Sequence, residues 1–574
     1  MLVRDLGHGA LLVAARVTGC AGHCDGRRWE RGGAALEAPG RPGRPGRARR
    51  DPARRPAAVP GWFEPHRRPW ADPDPNGRYE VATNWPGTGT ARVPREFPTP
   101  RPRWSAQPFD DRPAVPGTEY TTLDVPRDHT DPAGDRVTLA VSRLRAADPA
   151  RRRGVLLAVN GGPGGDGGLG TSLPARFART ALHQVYDLIG FDPRGTGAST
   201  PLYAEVHTPT APFDSRPPDA VFPQLAEDMR QRELACERGG GALRRHISTR
   251  NTARDMDLIR RALGESRITF VGYAYGAYVG AVYGSMFPAH LDRSVLDSCV
   301  GPRWSWREQF LWQGDAVHRN VNQWARWTGQ RHTVFGLGRG RGQVLTAVER
   351  AAALLEDQPG GVRLRTLLDG AVGTRSADRA RWAELARVVG ALLAVAAPGG
   401  AGPRACEELL AEQSTWRPAD SEGTRRIGVL EAVTLEHEWP ADLEVYYTDM
   451  RDFRKRFPYG YGVLRAQPWV GAFRTFEPAE PPTVLRRDGY PRGLVVQADG
   501  DPMDHYAGGV AMAELLGHRL LTVTDSGEHE IYVLGANPRV DEVVHRYLVD
   551  GVLPAEDTTC RGAAARPDIP ADAL

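Results

Sequence analysis

At 574 residues the chain is too long for one compact core, so one large domain carrying an insertion, or two domains, is expected. Hydrophobic residues make up 41%, as in an ordinary globular protein, and no run approaches the roughly 20 apolar residues of a membrane-spanning helix. A net charge of +4, from 74 basic against 70 acidic residues, directs no overall field at nucleic acid. Lys455 is the single lysine, an arginine skew that reads as coding bias rather than function.

Residues 1–60 are expected to lack a core. The segment Arg41-Pro42-Gly43-Arg44-Pro45-Gly46-Arg47 has too little apolar area to offset chain entropy, and reads as a solvated tail or an over-extended start of the reading frame. Contact with nucleic acid or anionic lipid is the alternative. Ahead of it, Ala10 to Ala15 followed by Val17-Thr18-Gly19-Cys20 resembles a short lipoprotein signal, yet Arg16 breaks the apolar stretch and Asp5 offsets Arg4. Cys20 and Cys24, with His23 beside them, have no second ligand pair, so no metal site is expected. Cys236, Cys299, Cys406 and Cys560 are open to being buried thiols or members of one or two disulfides.

Residues 61–117 are rich in Pro, Arg and Trp and are expected to form an irregular surface arm. Strand patterns follow at Tyr120 to Pro126 and Val137 to Ser142. Val155 to Val159 is continuously apolar, as in a strand buried on both faces. It runs into the glycine cluster Asn160-Gly161-Gly162-Pro163-Gly164-Gly165-Asp166, where the backbone can approach a ligand closely. No Gly-Lys-Ser/Thr follows, which excludes a phosphate loop. Tyr186 to Phe191 and the turn Asp192-Pro193-Arg194-Gly195 come next, then a helical pattern from Thr252 to Leu263.

The apolar run Ile268-Thr269-Phe270 leads through Val271-Gly272-Tyr273-Ala274-Tyr275-Gly276 into a small-residue helix, Ala277 to Phe287. Ser294 to Asp297 is a further strand. This alternation predicts an α/β fold with a doubly wound, mostly parallel sheet, whose first part spans 118–302. Between 303 and 485 helical patterns dominate, including Val344 to Leu355 and Ala380 to Ala397, and predict a helical cap. The sheet resumes over 486–562 with Gly493 to Ala498, a helix Ala507 to Leu516 and the strand Arg519 to Thr524; a helix Val540 to Val549 closes the domain before a tail, 563–574.

Strand, tight turn and helix around Ala274 form the frame of a nucleophile elbow, which lifts a serine hydroxyl above the sheet. Acyl transfer needs that nucleophile, a histidine base, a carboxylate to orient it and donors for the oxyanion. Asp501 and His529 follow successive strands in the order expected for acid and base of an α/β-hydrolase. Asp499 and Asp504 are weaker candidates for the acid, and His505 for the base. Backbone N–H groups of Tyr275 and of Gly161 or Gly162 are the candidate oxyanion donors. Each group alone has a bland explanation, since Asp-Pro is a common turn and Gly-x-His a common surface loop; their shared order carries the assignment.

On Asn160 to Gly165, Gly190-Phe191-Asp192-Pro193-Arg194-Gly195-Thr196-Gly197, Gly272 to Pro288, Val295-Leu296-Asp297, Gly500-Asp501-Pro502 and the ending Leu553-Pro554 to Cys560, residues 118–562 resemble the tripeptidyl and prolyl aminopeptidases among the α/β-hydrolases. The resemblance implies removal of short peptides from a free amino terminus under a helical cap, with no cofactor. It also implies departures. The serine is Ala274, a following Gly-Thr is Gly276-Ala277, and a serine after the glycine loop is Asp166. Cysteines are missing at Tyr120 and around Leu435, and an Asp-Pro reads Gly301-Pro302. Several such changes together favour natural drift over a single engineered substitution.

An alanine cannot form an acyl-enzyme, and loss of a triad nucleophile removes about 10⁶-fold of the rate. The phenols of Tyr273 and Tyr275 are one residue off the elbow position and, with pKa values near 10, are poor substitutes. Three functions remain: a weak or inactive family hydrolase that binds a peptide-like or acyl ligand; a lyase, isomerase or cyclase using Asp501 and His529 on a small metabolite; or an interaction protein. Glu436 and Glu438 in the cap are candidates to hold a substrate ammonium, against a plain reading as helix-surface charges. Asp166 and Tyr273 are further substrate-facing candidates. The missing cysteines favour a cytoplasmic location, with an exported lipoprotein anchored at Cys20 as the alternative.

Overall fold

The computed structural model describes residues 97–109, 116–164, 169–411, 413, 424–460 and 462–573. The amino-terminal segment with Cys20, most of the arm, and Asp166 therefore lie outside the described residues.

A nine-stranded sheet forms the centre. The strands are β1 Thr118–Pro126, β2 Arg136–Leu144, β3 Val155–Val159, β4 Asp187–Phe191, β6 Ile268–Tyr273, β7 Leu291–Asp297, β9 Leu494–Ala498, β10 Arg519–Thr524 and β11 Thr558–Arg561; β5 Tyr203–Glu205 and β8 Arg425–Ile427 pair separately. The order is β1-β2-β4-β3-β6-β7-β9-β10-β11. β1 and β2 run antiparallel to their neighbours, and every pairing from β4 onward is parallel. Parallel strands need helical crossovers that cover both faces, which is why β3, β4, β6 and β9 are buried at every residue. The α/β fold expected from the strand–helix alternation is present.

The helix Thr249–Ala262 begins where Ser248 accepts a hydrogen bond from the Asn251 N–H. The helix Tyr275–Met286 lies directly against the sheet. At Gly276 a Cβ would stand 2.4 Å from the Val159 carbonyl oxygen, so glycine there is required by the close approach of helix and strand.

Helices occupy most of the chain between β7 and β9. The longest, Trp306–Gly329, starts with a capping box in which Ser305 and Glu308 satisfy each other's end of the first turn. It packs with Arg341–Glu356, Gly361–Ala377 and Trp382–Val395 around a separate apolar core that includes Trp324, Trp327, Trp382 and Leu368. Truncating a fully buried tryptophan such as Trp382 costs about 3–5 kcal/mol.

Two features differ from the sequence expectation. The chain does not close on a helix Val540 to Val549: the helix is Pro538–His545, a π-turn follows over Arg546–Asp550, and β11 then adds a ninth strand parallel to β10. Residues 200–248, assigned no structure from sequence, hold the helix Phe222–Gly240 and strand β5, whose antiparallel pairing with β8 ties this segment to the cap. The described end of the arm is irregular and is tied to the sheet, since Ser105 bridges Tyr120 and Arg143 stacks 3.9 Å over the Trp104 ring. Cys236, Cys299, Cys406 and Cys560 are free thiols.

Candidate active site

The turn after β6 has the geometry of a nucleophile elbow. Ala274 sits at φ 50°, ψ −118°, a region that side-chain-bearing residues enter only when their surroundings impose it. Its N–H donates to the Asp297 carbonyl at 2.9 Å and its own carbonyl accepts from Ala277 at 3.0 Å. The side chain ends at Cβ, so the position is built and the hydroxyl is absent. Tyr275 is the first residue of the following helix, and its N–H is one of those that helix geometry leaves without an intrahelical acceptor.

Asp501 and His529 come together as expected from their strand-end positions. Nδ1 of His529 lies 2.9 Å and 3.1 Å from the two Asp501 carboxylate oxygens. Asp501 is itself fixed by the N–H groups of Met503 at 2.8 Å and Asp504 at 3.0 Å. Burial works against a charged imidazole here, and the Asp501 carboxylate outweighs it, holding His529 up at about 10. The pairing thus favours the protonated imidazole, the form that gives a proton rather than takes one. Asp504, bonded to Gln309 and 4.0 Å from the His529 ring, is pushed up to about 8 by burial, with the like charge of Asp501 adding to it against the pull of His529.

The weaker candidates have other work. Asp499 accepts from the backbone of Asp525 and Ser526 and so holds the loop before His529. His505 pairs with Asp315 at 3.1 Å and accepts from Ala507, closing the start of a helix.

The glycine loop lies against the elbow. A Cβ on Gly161 would stand 2.8 Å from the Ala274 Cβ and 2.7 Å from Oε1 of Glu530. Burial pushes the Glu530 carboxyl up, and the neighbouring Gly161 N–H acts against that shift. A small, partly open cleft lies beside this point, lined by Gly161, Gly164, Tyr275 and, from the cap, Val429 and Val433. His529 is not among its lining residues.

Glu530 was not singled out by sequence. It follows His529 directly and has φ 60°, again a conformation unusual for a side-chain-bearing residue. Its N–H donates to Ser298 Oγ at 2.9 Å, and Ser298 in turn donates to Asp297. The Asp297 carboxylate also accepts from the N–H groups of Ile531 and Tyr532. One buried acid at the end of β7 thus fixes the loop that carries both His529 and Glu530. A charged residue beside the predicted base was the only sequence signal for Glu530, and nothing local distinguishes it from a surface charge.

The other candidates divide. Glu436 is buried and accepts from the N–H and hydroxyl of Thr249, whose Oγ1 also lies 2.9 Å from the Tyr275 hydroxyl. Burial pushes Glu436 up to about 7. It also borders a second cleft with Ser248, Asn251 and Glu480. Glu438 is not brought to the site: its side chain is 94% exposed, 3.5 Å from Arg474. Tyr273 is not brought there either, since it is fully buried and its hydroxyl donates to the Tyr532 carbonyl at 2.8 Å.

A family model described as the alpha/beta hydrolase fold matches residues 154–536. The chain is 31% identical over 456 residues to tripeptidyl aminopeptidase of Streptomyces coelicolor, covering 76% of this chain and 82% of that one. It is 30% identical over 512 residues to carboxylesterase B of Mycobacterium tuberculosis, covering 83% of this chain and 93% of that one. The crystal structure of proline iminopeptidase from Mycobacterium smegmatis aligns at 12% identity and a TM-score of 0.31, over 75% of this chain and 98% of that one, a level that carries no argument of its own. The elbow, the acid–histidine pair in chain order and the sequence likeness agree that this chain belongs to the α/β-hydrolase family, among its members similar to tripeptidyl aminopeptidase.

Proposed function

We propose that this protein binds a peptide-like or small acyl ligand beneath its helical cap and does not cleave it by serine chemistry. The observation that supports this is Ala274 itself, an elbow residue in the strained conformation of a nucleophile with no atom to attack with. Neither flanking phenol replaces it. The Tyr273 hydroxyl is bonded on the far side of β6, and the Tyr275 hydroxyl to Thr249. Burial raises both phenols above their ordinary range, which weakens them further as nucleophiles.

Two relatives have names that point to different scissile bonds, an amide in one and an ester in the other. The ligand class is therefore best described by the group both share, a carbonyl flanked by a short chain. For a peptide, Glu436 is the cap residue placed to receive the amino terminus, because it is buried, acidic and borders a cleft. The test is calorimetric titration of the protein with a free tripeptide and with its Nα-acetylated form, followed by mass spectrometry of the mixture. Binding of the free peptide, weaker binding of the acetylated one and no hydrolysis is the expected result. Turnover that survives overnight dialysis and disappears in His529→Ala would overturn it.

A non-covalent enzyme using Asp501 and His529 is the second reading, favoured by the intact pair at 2.9 Å. Its form is constrained, because the Asp501 contact favours the protonated imidazole, which acts as an acid.

A further inference from the structure

The loss of serine chemistry involves a second residue. In a working acyl-transfer site the space in front of the elbow and the N–H groups beside it are kept open for the substrate carbonyl, whose oxygen they receive. Here that space is occupied from within. Glu530 brings a carboxylate oxygen 2.7 Å from the point where a Gly161 Cβ would stand, a point that is itself 2.8 Å from the Ala274 Cβ. The neighbouring Gly161 N–H favours the charged form of this carboxyl.

The placement is not a free side chain that happens to fold inward. Glu530 holds φ 60°, and its N–H is bonded to Ser298 Oγ while the next two N–H groups are bonded to Asp297. Ser298 has φ 55°. Two strained residues locked to each other by hydrogen bonds point to a conformation that the surrounding structure imposes. Ser298 thus holds Glu530 where its carboxyl stands beside Gly161.

We propose that Glu530 is the resident occupant of the oxyanion cradle and, with Ala274, is the second determinant that keeps this site from acting as a serine hydrolase. The proposal rests on the reading of the site given above, a family pocket without its nucleophile. A ligand carbonyl reaches the Gly161 N–H only by displacing this carboxylate. A serine restored at 274 would find the same cradle filled, and removal of one oxyanion donor slows acyl transfer by about 10²–10³-fold.

The test uses a fluorophosphonate probe, which needs a serine and its oxyanion donors but no peptide specificity. Ala274→Ser, Glu530→Gly and the double variant are compared in the full chain. Glycine is chosen at 530 because it adopts positive φ freely, and Ala274→Ser/Glu530→Gln is a parallel variant that keeps the side-chain volume and removes the charge. Melting curves confirm that each variant is folded. The expected result is no labelling of the natural chain, and labelling of Ala274→Ser at least about 100-fold slower than that of Ala274→Ser/Glu530→Gly. Equal rates for those two, or no labelling of the folded double variant, would overturn the role of Glu530. Labelling of the natural chain that is lost in Glu530→Gly would overturn it as well, since the carboxylate would then be a nucleophile and not an occupant. Failure of the peptide-binding reading is seen separately, in the titrations with free and acetylated tripeptide, which do not involve the probe.

Discussion

Asp501 and His529 show how a single contact sets the chemistry open to a site. The 2.9 Å pair raises the imidazole from an ordinary 6.5 to about 10. Because the folded value lies above the unfolded one, the pair adds stability that is complete below about 6.5 and is lost as pH rises through about 10. Replacing Asp501 by Asn removes the largest raising contribution and leaves only Asp504 and Glu530 against burial, so the His529 titration followed by NMR is expected to fall clearly. A midpoint still near 10 would mean that Asp504 or Glu530 carries the effect. Glu436 gives a pH dependence of the same sign over a lower range. Burial raises it from 4.5 to about 7, so the folded protein holds a proton that the unfolded chain has released, and stability falls between those values as pH rises. Glu436→Gln keeps an acceptor for Thr249 and removes the charge. It is expected to stabilise the protein at pH 8 by up to about 3 kcal/mol and to change little at pH 4, read as the difference in melting temperature.

Among the elements, the loop after β10 depends most on distant support. Asp297 ends β7, is fully buried and accepts from Ile531, Tyr532 and Ser298. Asp297→Ala strands those donors at about 1–3 kcal/mol each, so a clearly lower melting temperature and faster amide exchange at 529–533 are expected. An unchanged exchange pattern would mean that the loop is held by other contacts. The elbow, by contrast, is specified locally. Its strand, its glycine at 276 and its small-residue helix could all be read from sequence, because a period of two changing to a helical pattern around a Gly-x-Ala-x-Gly turn is a short-range signal. The same holds for Asp501 and His529, each defined by the strand before it. Glu530 was not legible. What gives it a role is the return of the glycine loop from β3 and the support of Ser298 from β7, contacts between segments more than 200 residues apart. Strand β11 was missed for a similar reason, since Thr558–Arg561 is too short to stand out before β10 is known to offer it an edge.

Across the whole molecule, buried charges that sequence shows only as charged letters tie core segments to one another and to the cap. Arg194, in the turn after β4, is fully buried and makes a forked contact with Asp255 at 2.6 Å and 2.7 Å while donating to the carbonyls of Pro126, Arg127 and His246. In the second junction, Arg232 and Arg426 both pair with Glu431, tying the helix Phe222–Gly240 to the cap. Removing one partner of such a pair leaves a buried charge uncompensated, and Arg194→Met is expected to cost about 3–5 kcal/mol in chemical denaturation, with Arg194→Met/Asp255→Leu recovering part of it. These pairs hold the turn and the cap around the cleft, so the pocket is maintained whether or not its elbow carries a nucleophile. That separation between a retained frame and an absent reactive atom is the central claim. Its most direct measurement is incubation of the natural chain with a free tripeptide at a concentration shown by calorimetry to saturate it, with the peptide then recovered and weighed by mass spectrometry. Recovery of the intact peptide from a saturated site is predicted; stoichiometric or greater release of a shortened product, abolished by His529→Ala, would contradict it.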